Sequence, residues 1–228
     1  MMRSGKNDVS AVHPAYNTHP TLFDKVFGYA VSVILHPIFI PMYVAYFLLY
    51  IHPGAFTGFS AYDKLKTFSI IGINVVLFPL IATLLSKAVG FIDSIQLHTR
   101  KDRIIPLIAA GIFFFWAYLV FKEQHQYPLM LVAFLLGIFL ASSAGLMANI
   151  FFKVSLHGIG MGGWLGFFLA LLLNGELHMA WPLALVIALT GLVATARLMI
   201  SSHTPREIYY GIVIGILSQW AALIFTGI

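Results

Sequence analysis

The chain has 228 residues, of which 60% are hydrophobic and only 9% charged, with a mean hydropathy of +0.92. Soluble domains carry about 25% charged residues, so this composition excludes an ordinary soluble domain and points to an integral membrane protein. No cysteine is present, which excludes disulfides and thiolate metal sites, and the formal charge of +5 suits anionic headgroups or phosphate.

In chain order, residues 1–25 read as a polar tail that lacks the short apolar core of a cleavable signal. Seven apolar stretches follow, at roughly 26–50, 67–92, 104–121, 128–152, 158–174, 181–200 and 208–228. An isolated membrane span must satisfy its backbone hydrogen bonds internally, so all read as helices. The expected fold is therefore all-α, a polytopic bundle of six to seven transmembrane helices. Short connectors such as "KEQHQYP" and "NGELHMAWP" argue for a single domain over 26–228.

Threading seven spans alternately through a bilayer puts the N-terminus, 93–103, 153–157 and 201–207 on one side. That side carries "HTRKDR", "KVSLH" and "SSHTPRE"; the other side holds scattered polar residues. Site residues are therefore expected from 96–106, 153–158 and 197–207. In the last segment Thr204, Pro205 and Glu207 read as N-cap, N1 and N3 of a helix. His203 precedes that helix, where the dipole disfavours imidazolium and favours a bound anion. A neutral imidazole oriented by Glu207 is a candidate nucleophile toward phosphorus.

The middle segment offers Lys153, Ser155 and a second imidazole, His157, which could protonate a leaving oxygen. Gly158 could bring its N–H to a phosphoryl oxygen, whereas Gly158, Gly162 and Gly166 together read as a close-packing face. Arg100, Lys101 and Arg103 read either as a headgroup-level anchor or as a phosphate clamp, with Asp102 holding one arginine in place. His36, between Leu35 and Pro37, reads as a satisfied imidazole at a kink, and His52 and His178 read as loop histidines. No basic stripe with stacking aromatics for nucleic acid is present.

Arg197, five residues, His203, three residues and Glu207 resemble the third motif of the type 2 phosphatidic acid phosphatase family. "VSLH" keeps the Ser155 and His157 of its middle motif, and "RKDRIIP" loosely matches the first. Glu207 replaces the family's usual Asp, and Val154 and Leu156 replace its Pro and Gly. The resemblance implies metal-independent hydrolysis, without a cofactor, of the phosphate or diphosphate of a membrane lipid. His203 would form a phosphohistidine, Glu207 would orient it and His157 would serve the leaving alcohol. Arg197, Ser155, Lys153, Gly158 and the Arg100, Lys101, Arg103 cluster would hold the phosphate. It also implies a bacterial inner membrane. Two other classes fit the basic segments: a non-catalytic binder or transporter of anionic lipids, and an intramembrane prenyltransferase. Against the latter, no two of the five aspartates lie within one helical turn.

Overall fold

The computed structural model describes residues 21–97, 99–200 and 202–228; most of the polar tail over 1–25, and His98, lie outside them. The described residues form an all-helical bundle. Helix α1 is Leu22–Ile34, α2 Ile40–Ile51, α3 Ala61–Ala88, α4 Arg100–Lys122, α5 Leu129–Phe151, α6 Leu156–Leu173, α7 Leu177–Met199 and α8 Pro205–Thr226. Six of these, α3 to α8, are long and apolar enough to cross a membrane. The sequence predicts one continuous first span; the structure divides it into α1 and the shorter, apolar α2.

The cause of that break is local. His36 precedes Pro37, which disfavours a helical backbone at His36, and Pro37 has no N–H to continue the ladder. The freed groups find partners in place: the Tyr43 hydroxyl donates to Ile34 O at 2.7 Å, and Ile38 N–H donates to His36 Nδ1 at 3.3 Å. Pro41 then sits in the first turn of α2, where a missing N–H costs nothing.

Polar caps set the other helix starts. Thr21, Ser60, Thr99, Ser155 and Thr204 each accept a backbone N–H from the first turn. Capping by Ser60 explains why α3 begins before the Lys64–Lys66 pair rather than after it.

Helix α6 is the centre of the bundle: 67% of its most apolar window is buried, against 17% for α4. It meets α8 along a glycine seam. A Cβ at Gly158 would lie 2.8 Å from Ile208 O, one at Gly166 2.7 Å from Ile216 Cα, and one at Gly211 2.6 Å from Ser155 O. Only bare backbone lets the two axes approach this closely. The glycines read from the sequence as a packing face are therefore that face.

The bundle has two chemically distinct ends. At one, the α3–α4 loop and the α5–α6 and α7–α8 junctions are tied together. Arg103 Nη1 donates to Val154 O at 2.7 Å, Lys153 Nζ to Ser202 O at 3.1 Å, and Ser155 N–H to Glu207 O at 3.1 Å. Helix α1 joins this end, with Gly28 against Ala196 of α7 and Ile200 just after it. At the other end, loops 52–60, 123–128 and 174–176 meet the start of α7, with Phe59 against Tyr127 and His52 against His178.

Candidate functional site

A cavity of about 440 Å³ opens at the tied end and runs into the bundle between α2, α3, α4, α5 and α6. His36, Arg103, His157, Arg197 and His203 line it at the polar end, and the remainder is mostly apolar. The volume lies within the range of sites for small molecules and lipid tails.

His203 sits in the turn before α8 and is buried. Its Nδ1 lies 2.6 Å from Glu207 Oε2, one helical turn on. The carboxylate can only accept, so Nδ1 carries the proton and Nε2 keeps a lone pair. The predicted helix start is present: Thr204 accepts Glu207 N–H, at 3.4 Å, and Pro205 opens the helix. The Glu207 carboxylate, however, is engaged with His203. Burial lowers the His203 pKa from the ordinary imidazole value to about 4; the Glu207 hydrogen bond opposes that shift, and Arg197, Lys153 and Arg103 add to it. The ring is therefore neutral at pH 7.

Two guanidiniums share the cavity. Arg197, in the last turn of α7, donates from Nη1 to Ser32 Oγ at 3.1 Å, while its buried Nε has no hydrogen-bond partner. Arg103 is 5% exposed, with Nε donating to Leu97 O at 2.9 Å. Leu97 has φ of +53°, the left-handed region that a leucine adopts only at a cost of about 1–2 kcal/mol. That conformation presents its carbonyl to Arg103, so strain is stored where a charge is fixed. Among the described residues neither arginine forms an ion pair: the two pairs found are His203–Glu207 and His178–Glu176.

His157, in the first turn of α6, places Nε2 3.0 Å from the Ser32 carbonyl, so Nε2 bears the proton and is already bonded. Its ring packs edge-on against His36, with centroids 5.3 Å apart.

The structure thus brings His203, His157, Arg197 and Arg103 to one cavity, with Glu207 behind His203. It does not bring the rest of the predicted set there. Ser155 is fully buried and caps α6 by accepting Gly158 N–H at 3.2 Å, which also engages the N–H assigned to phosphate. Lys153 is held by Ser202 O, Arg100 donates to the Ile150 and Phe151 carbonyls, and Lys101 is exposed. Asp102 accepts from Asp93 N–H and the Thr99 hydroxyl rather than holding an arginine. Sequence reading missed Ser32 and His36. Nothing marks Ser32, but an ionisable residue beside a proline inside an apolar stretch is itself a functional signal.

A second cluster lies at the opposite end, where ligand atoms of His52, Glu176 and His178 fall within 4.8 Å of one another. His52 Nδ1 accepts Gly54 N–H at 3.2 Å and Ala55 N–H at 3.0 Å, so the neutral ring carries its proton on Nε2. That proton is donated to His178 Nε2 at 3.0 Å, and His178 Nδ1 faces Glu176 Oε2 at 3.4 Å. The chain of tautomers occupies the nitrogen a metal would require, so the cluster reads as a clasp between two loops.

No protein-family model matches this chain, and no curated protein and no solved structure matches it.

Proposed function

We propose that the protein is a metal-independent phosphatase of membrane lipid phosphates or diphosphates, acting through a phosphohistidine on His203. One observation carries the reading: a carboxylate-held neutral imidazole shares a cavity with two guanidiniums, neither of which forms an ion pair among the described residues. Unpaired buried charge is costly, about 2.5–3.5 kcal/mol per group at mid-bilayer on insertion scales and less at the helix ends where these arginines lie, and a bound phosphate dianion offsets it. The apolar remainder of the cavity suits a lipid chain. The spacing Arg197–His203–Glu207 adds the resemblance to the type 2 phosphatidic acid phosphatases.

In this reading Arg197 and Arg103 hold the phosphoryl oxygens, and His203 Nε2 attacks phosphorus. A P–N bond forms, the P–O bond to the lipid breaks, and the leaving oxygen takes a proton from a water molecule while the His157 Nε2–H exchanges the Ser32 carbonyl for that oxygen and steadies its charge. The hydroxide left behind attacks the phosphohistidine, and inorganic phosphate and free His203 result.

A second reading is an anionic-lipid binder. The bond from His157 Nε2 to Ser32 O favours it, because that proton already has a partner. Phosphate release from lipid monophosphates and diphosphates in EDTA separates the two. The phosphatase reading expects chelator-resistant release that His157→Ala lowers by about 10²-fold or more. Tight binding without release from any lipid would establish the binder.

The pH profile provides a further check. The attacking imidazole must be neutral, so activity is present above the His203 pKa and is lost as pH falls through about 4. Glu207→Gln removes the interaction that raises this pKa and fixes the tautomer. The expected result is an acid limb at lower pH and a rate reduced about 10²-fold or more, measured as kcat/KM against pH.

A further inference from the structure

We propose that His36 is a ligand-binding residue of this cavity, donating its Nε2–H to an oxygen of the lipid phosphate. The inference rests on the phosphate reading of the site and adds a contact from a part of the chain that reading does not use.

Three observations meet at His36. Its tautomer is assigned by a backbone group: Ile38 N–H donates to Nδ1 at 3.3 Å, so the neutral ring carries its proton on Nε2. His36 lines the cavity with Arg103, Arg197 and His203, and its ring lies edge-on to His157. No hydrogen bond within the described residues engages Nε2. His157 differs on this last point, because its Nε2–H is taken by Ser32 O. Of the two packed imidazoles, His36 is the one with an uncommitted donor.

The backbone around it supports the same reading. Residues 36–39, between two apolar helices, depart from helical geometry and line the cavity. Irregular backbone is tolerated there only where it is buried in protein or lines a cavity, and broken helices of this kind present polar groups to ligands. Here the break is held by the Tyr43 hydroxyl on Ile34 O at 2.7 Å, and Tyr43 stacks on Trp164 with ring centroids 5.8 Å apart. Trp164 lines the same cavity, so the loop bearing His36 is fixed to the cavity wall. A kink needs only Pro37. A histidine whose Nδ1 is capped locally and which shares a cavity with two guanidiniums and two further imidazoles serves an anion.

The test uses the full chain in detergent micelles, with hexadecyl phosphate and hexadecanol as probes and the change in tryptophan fluorescence on binding as the readout. The wild type is expected to bind the phosphate more tightly than the alcohol. His36→Ala should weaken phosphate binding about tenfold or more and leave alcohol binding unchanged. His36→Gln, which keeps a donor at similar reach, should recover most of the loss. Unchanged thermal unfolding of both variants would place the effect in the contact. If the wild type prefers phosphate and His36→Ala keeps that preference in full, His36 is not a ligand contact and the phosphate reading stands. If His36→Ala weakens both probes equally, its role is to shape the cavity, and the inference is overturned. A wild type that does not distinguish phosphate from alcohol overturns the phosphate reading itself.

Discussion

Replacing His203 by alanine is expected to lower lipid-phosphate hydrolysis by at least about 10³-fold, because it removes the group that forms the covalent intermediate. The fold should survive. His203 lies in a turn rather than within a helix, and its one polar partner, Glu207, is half-buried and can turn to solvent. Thr204 and Pro205 still start α8 without it. The measurement is phosphate release with thermal unfolding of the same preparation. The account expects activity to disappear while the unfolding midpoint moves little, and lipid-phosphate binding through Arg197 and Arg103 to persist. A variant that folds and retains more than about a tenth of the wild-type rate would remove His203 from the nucleophile role.

The largest expected effect on stability belongs to Gly215→Val. A Cβ at Gly215 would run into Ile159 O and Gly163 N of α6, with Gly162 C 2.8 Å away. These are backbone atoms on the central helix, and no rotamer change moves them aside. Inserting even a methylene into a packed interior costs about 1–3 kcal/mol, and here the helices themselves must separate. Because Ser155, His157 and Glu207 sit at the top of this α6–α8 seam, the separation would also pull His203 away from His157. Size-exclusion and thermal unfolding in detergent should show an aggregated or strongly destabilised chain. Gly191→Ala is the control: nothing lies within 4 Å of the added Cβ, and replacing a helical glycine there should be neutral or gain about 0.5–1 kcal/mol. Equal behaviour of the two variants would contradict the seam.

Much of the fold was legible because the membrane allows so few solutions. Long apolar stretches have to be helices, and the glycine spacing at 158, 162 and 166 marked the face that meets α8. The first span was the exception. Hydropathy registers how apolar residues 26–50 are but not that Pro37 and Pro41 divide them, so one predicted helix became α1 and α2. The site was legible where spacing encodes geometry: His203 and Glu207 are four apart on one helix start and do meet. Burial of Arg103 could not be told from that of Arg100 and Lys101, since adjacent basic residues at a helix start differ only in which way they face. Ser155 looked like a phosphate ligand because a serine before a helix serves equally as an N-cap, which is its role in this structure. Ser32 meets Arg197 and His157 through the packing of Gly28 against α7, and His36 reaches the cavity through the bend at Pro37, neither of which a motif records.

The central claim is a phosphoryl group carried on His203. Its most direct test is rapid quench of the protein with a lipid phosphate in EDTA, under alkaline conditions that preserve phosphohistidine, followed by mass spectrometry of the segment 196–211. The account predicts a transient phosphoryl group on His203 that forms at the rate of lipid dephosphorylation and is absent from His203→Ala. Lipid dephosphorylated at the same rate with no phosphoryl group on His203 at any quench time would contradict it.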